Sequence, residues 1–82
     1  MAKRAYRYPT VRKAVSLWDI SEWFTARELY YPTLDLLPMK HCSITVLGVS
    51  HMLIRLQARG LLEARLNSKG DKEYRRVGKE WV

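Results

Sequence analysis

Between Thr45 and Leu62 the chain reads Thr-Val-Leu-Gly-Val-Ser-His-Met-Leu-Ile-Arg-Leu-Gln-Ala-Arg-Gly-Leu-Leu, and no other stretch constrains the fold as tightly. At about 100° per residue, Val49, Met52, Leu53 and Leu56 fall on one face with Val46 at its edge. Leu47, Ser50, His51, Ile54, Arg55 and Ala58 fall on the other face. The spacing predicts one amphipathic helix over 45–59. Arg59 stands in the last turn, where the helix dipole favours a cation, and Gly60 follows where a left-handed residue closes a helix. Leu61 and Leu62 then open an apolar strand.

The remaining elements follow from local signals. Thr10 is a candidate cap for a first helix reaching about Ile20, with Val11, Val15 and Trp18 on one face; Trp18 and Trp23 are expected in the core. At Phe24-Thr25-Ala26-Arg27-Glu28-Leu29, the Thr25 hydroxyl and the Glu28 carboxylate can each accept the other residue's amide. Phe24 can pack on Leu29 across this capping box, so a second helix starts at Ala26. Pro32 lacks an amide and is expected to stop or bend that helix near Tyr31. Leu34, Leu36 and Leu37, between Pro32 and Pro38, suggest one further helical turn as an insert. Beyond the organising helix, Leu62-Glu63-Ala64-Arg65-Leu66 and Glu73-Tyr74-Arg75 alternate in polarity around the turn-forming Asn67-Ser68-Lys69-Gly70-Asp71. That is a β-hairpin with a basic tip and basic flanks.

Charge narrows the range of partners. The formal net charge is +7 over 82 residues, and it sits at the two ends. Lys3, Arg4, Arg7, Arg12 and Lys13 precede residue 14 with no acid among them, whereas the middle holds Arg27 against Asp19, Glu22, Glu28 and Asp35. Basic residues dominate again from Lys40 onward. Such a surface attracts polyanions through counterion release, with a steep dependence on salt. Residues 1–9, with Tyr6 and Tyr8 among the basic groups, are expected to form an arm that tracks phosphates or enters a minor groove; residues 10–82 are expected to form one domain.

Several classes are disfavoured. No apolar run approaches the roughly 20 residues that cross a bilayer, and Cys42 alone allows no internal disulfide, so a cytoplasmic protein without membrane contact is expected. A zinc site needs about four ligands in a defined spacing; Cys42 with His41, His51 and Asp35 does not supply it. No cofactor is expected. No carboxylate pair, activated nucleophile or phosphate-cradling glycine loop suggests an enzyme.

Helix, capped helix, amphipathic helix ending Ala-Arg-Gly-Leu-Leu, then a basic hairpin: the order resembles the winged helix-turn-helix domain of prokaryotic transcriptional regulators, over roughly residues 10–77. The resemblance implies an α+β fold of three main helices plus a C-terminal wing, with a short helical insert between the second and third helices. It implies that the helix over 45–59 enters the major groove of double-stranded DNA and that the wing at 67–72 meets the backbone or the minor groove. Carried over by position, the base-facing residues are Val46, Leu47, Gly48, Ser50, His51 and Arg55, and the backbone contacts are Arg27, Lys69, Lys72 and Arg75. The arm would contribute Lys3, Arg4 and Arg7. A homodimer is expected, since two-fold protein symmetry matches palindromic sites. Leu47, Gly48 and Ile54 offer no donor to a base edge, so the alternative is a protein-interaction module that docks a protein partner through this same helix face.

Overall fold

Local capping sets the frame of the computed structural model, which describes residues 6–39 and 42–78. Helix α1 spans Arg7–Leu17, strand β1 Phe24–Thr25, helix α2 Ala26–Asp35 and helix α3 Val46–Ala58, and the chain continues into strands β2, Leu62–Leu66, and β3, Lys72–Arg76. The three strands form one antiparallel sheet in the order β1-β3-β2.

Helix α1 begins three residues before the expected cap, so Arg7, Tyr8 and Pro9 belong to the helix rather than to an arm. Pro9 is tolerated because it stands in the first turn, where an amide has no intrahelical acceptor. Thr10 is buried inside the helix, and its hydroxyl donates to the Tyr6 carbonyl one turn back. At the other end the helix stops at Leu17, short of Ile20. Asp19 ends it: its carboxylate accepts from the Ser21 amide at 2.9 Å and from the Ser21 hydroxyl at 2.8 Å, a local turn that competes with helix.

The capping box at α2 is present as expected. Glu28 donates its amide to Thr25 Oγ1 at 3.1 Å, and Thr25 donates its amide to Glu28 Oε1 at 2.9 Å. Pro32 does not stop the helix, which runs on to Asp35. One missing amide is offset by an anchored neighbour: Thr33 is fully buried and its hydroxyl donates to the Leu29 carbonyl at 2.8 Å. The extra turn expected around Leu34 to Leu37 is therefore the end of α2 and not a separate insert helix.

Helix α3 buries Val49, Leu53 and Leu56, as its period requires. Thr45 caps it by accepting from the Gly48 amide at 3.0 Å. The helix closes through two bonds, Gly60 amide to Gln57 carbonyl at 2.9 Å and Leu61 amide to Leu56 carbonyl at 3.1 Å. Gly60 has φ +78°, the left-handed conformation that this closure demands.

One core joins these pieces. Val11, Ala14 and Val15 of α1 meet Leu29, Ile44 and the buried face of α3, while Phe24, Leu62 and Tyr74 close it from the sheet. Phe24 and Tyr74 are register partners with ring centroids 6.3 Å apart, so the two-residue β1 is held by an aromatic pair. Trp18 packs against this core.

Trp23 does not lie in the core. It is half-buried on the outer face of the sheet, with the guanidinium carbons of Arg65 and Arg75 at 4.1 and 4.5 Å from its ring. Those arginines are held across the strands: Arg65 pairs with Glu73 at 3.0 Å and Arg75 with Glu63 at 2.9 Å, each ion pair joining register partners. Two crossed pairs on one face favour this register over a slipped one.

Candidate nucleic-acid interface

The outward stripe of α3 is uncovered. Leu47 is 65% exposed and Ile54 45%, and His51 and Ala58 are exposed beside them. At Gly48, expected to face bases, a Cβ would stand 3.2 Å from Ile44 Cγ1 and 3.4 Å from Thr45 Oγ1. Its missing side chain lets the helix start close to the loop before it.

Two groups of cations border the stripe. On one flank a cleft of about 250 Å³ is lined by Thr25, Ala26 and Arg27 from the start of α2, by Val46 and Ser50 from α3, and by Asp71, Lys72 and Tyr74 from the hairpin. Four residues expected at the interface, Arg27, Val46, Ser50 and Lys72, are thus brought together by tertiary packing. Lys72 Nζ rests 5.4 Å from the Tyr74 ring centroid, which aims it along the cleft wall. Lys69 is exposed at the hairpin tip. The tip is shaped by Asn67, whose side-chain Oδ1 accepts from the Lys69 amide at 2.9 Å and the Asp71 amide at 3.0 Å, with Gly70 at φ +84°.

The opposite flank was not anticipated from the sequence. Arg59 donates to the Tyr8 hydroxyl at 3.1 Å, Arg55 stacks on the Tyr8 ring at 4.5 Å, and Arg12 lies 5.6 Å from the same ring. Arg55 therefore lies against α1, at the rim of the stripe and not over its centre. Tyr8, Arg12 and Arg59 were missed as site residues because only α1–α3 packing brings them together. The spacing of Arg55 and Arg59, one turn apart on α3, was the available hint.

The other expected positions divide. Arg7 is half-buried in the first turn of α1, near the Tyr6 ring, and Arg75 is engaged by Glu63 and Trp23. Lys3, Arg4, His41 and Trp81 lie outside the described residues. Among the described residues, no three of His, Cys, Asp and Glu are grouped in a way that could hold a metal ion, and no helix is long and apolar enough to cross a membrane.

Among the described residues, three helices and a three-stranded antiparallel sheet with an extended hairpin after the third helix define a winged helix-turn-helix fold. The crystal structure of FurB from M. tuberculosis, a zinc uptake regulator, has this fold too, with a TM-score of 0.63 and 23% sequence identity. The match covers 98% of this chain and 60% of that one. No family model and no curated protein matches the sequence.

Proposed function

We propose that this domain binds double-stranded DNA as a transcriptional regulator, with α3 in the major groove and the hairpin tip over 67–72 on the adjacent backbone or minor groove. The observation that carries the reading is the cationic border on both sides of an uncovered helix face. Arg27 and Lys72 stand on one side, and Arg55 and Arg59 on the other. A helix with its side chains is about 10–12 Å wide, which suits a major groove about 12 Å across whose two rims are phosphate strands. Val46, Leu47, Ser50 and His51 would then face the bases, while Lys69 would meet phosphate. The fold shared with a bacterial regulator supports the same reading. Gly48 would permit close approach of the helix start without contacting a base itself.

Retention of a mixed-sequence duplex at low and at moderate salt tests this. Affinity is expected at low salt and is expected to fall steeply as salt rises, because each neutralised phosphate releases counterion. No retention at low salt, or retention indifferent to salt, overturns the reading.

A homodimer in a cytoplasmic setting is proposed with it, since two copies double a small contact surface; a mass measurement on the complex with DNA tests the stoichiometry. The exposed Leu47 and Ile54 favour one alternative, docking of a protein partner through α3. Leu47→Asp with Ile54→Asp separates the two: loss of DNA retention with the partner complex intact excludes the alternative.

A further inference from the structure

The large side chains at the centre of the α3 stripe are aliphatic, although a base-reading helix ordinarily presents hydrogen-bonding groups there. We propose that α3 recognises thymine by apolar contact, Leu47 and Ile54 each covering a 5-methyl group, so that the preferred duplex carries thymine at two positions about three base pairs apart. This inference rests on the DNA-binding reading above and names the feature of DNA that is read.

Three observations support it. Leu47 and Ile54 are seven residues apart and both are exposed on the same side of α3, with His51 between them. At about 1.5 Å per residue, their separation along the helix is roughly 10 Å, close to three base steps of about 3.4 Å. The second is the chemistry of the groove floor, where the thymine methyl is the apolar group on offer to an aliphatic side chain. The third is charge. Arg27 and Lys72 on one flank, where Asp71 also lines the cleft, and Arg55 and Arg59 on the other place two cations along each edge of the apolar stripe. A surface with anionic rims and a methyl-bearing floor complements both features at once. Ser50, half-buried at the edge of the cleft, and His51 are left to make the directional contacts that set orientation.

The test begins with selection of a duplex from a random pool by the unmodified chain. Binding to that duplex is then compared with binding to the same duplex carrying deoxyuridine for thymidine, which removes the methyl and keeps the base pair and its O4 acceptor. The unmodified chain is expected to bind the deoxyuridine duplex about fourfold more weakly for each methyl contacted, about fifteenfold for two. Leu47→Ala and Ile54→Ala should each remove one share of that discrimination, and the double variant should bring the ratio near one with its salt dependence unchanged. Both positions are exposed and Ala is a good helix former, so the fold is retained; circular dichroism and a urea midpoint check this. A ratio of one in the unmodified chain, or a ratio unmoved by either substitution, overturns the proposal while salt-dependent DNA binding stands. No salt-dependent binding to any duplex overturns the underlying reading and this inference with it.

Discussion

The phenol of Tyr6 and the backbone of Ser43 are joined twice across 37 positions of sequence: the hydroxyl donates to the Ser43 carbonyl at 2.8 Å and accepts from the Ser43 amide at 3.0 Å. This clasp ties the residue before α1 to the segment that leads into the Thr45 cap of α3. It is exposed, so water replaces most of what is lost when it is removed. Tyr6→Phe should cost about 1 kcal/mol, read as a lower urea midpoint with unchanged slope.

Closure of α3 depends on backbone conformation at one position. Gly60 has φ +78° and nothing within 4 Å of where a Cβ would sit, so substitution there meets strain without steric collision. Gly60→Ala should destabilise by about 1–2 kcal/mol in urea unfolding, and Gly60→Asn by less, since Asn visits the left-handed region more readily. Equal losses from the two would mean that the side chain, rather than φ, is what matters.

Asp19 makes stability depend on acid. Its carboxyl pKa is lowered from 3.8, first by the Ser21 amide and next by the Ser21 hydroxyl; desolvation opposes them, and the Arg76 charge adds the smallest lowering. A carboxyl with a depressed folded pKa adds stability above its unfolded value and loses it as pH falls through the folded pKa. The stability difference between the unmodified chain and Asp19→Asn should therefore be constant above about pH 5 and shrink below about pH 4. In a carboxyl titration followed by nuclear magnetic resonance, Ser21→Ala, which removes the hydroxyl and keeps the amide, should raise the Asp19 pKa only part of the way to its ordinary value.

Cations held by an ion pair should behave differently from those with no carboxylate bound to them in the structure. Lys69 is exposed at the hairpin tip and Lys72 exposed at the cleft, whereas Arg75 is held by Glu63 and stacked on Trp23. Lys69→Ala and Lys72→Ala should each lower the slope of log affinity against log salt by about one. Arg75→Ala should leave that slope nearly unchanged and cost about 1 kcal/mol of stability, from an exposed ion pair and a cation–π contact.

Local chemistry made much of this protein legible without coordinates. The apolar stripe at 49, 52, 53 and 56, the Thr25–Glu28 box and the glycine at 60 each involve partners within about one or two helical turns. The hairpin was legible for a similar reason, because alternation and a turn-forming loop are both contained in 62–76. Strand β1 was not: two residues carry no period, and Phe24–Thr25 becomes a strand only because Tyr74 and Glu73 lie alongside. The extent of α2 was hidden as well, since the proline rule takes no account of a buried Thr33 that bonds back to Leu29.

The candidate interface divides along the same line. The exposed stripe of α3 follows from helical period alone, so the sequence by itself determined which side of that helix is left outside the core. Which cations border that stripe was decided by tertiary structure. A guanidinium on a long side chain turns to whichever ring or carboxylate packing brings within reach. Tyr8 draws Arg55 and Arg59 to one rim, Trp23 and Glu63 draw Arg75 to the outer sheet face, and Lys72 is left beside Arg27 at the cleft.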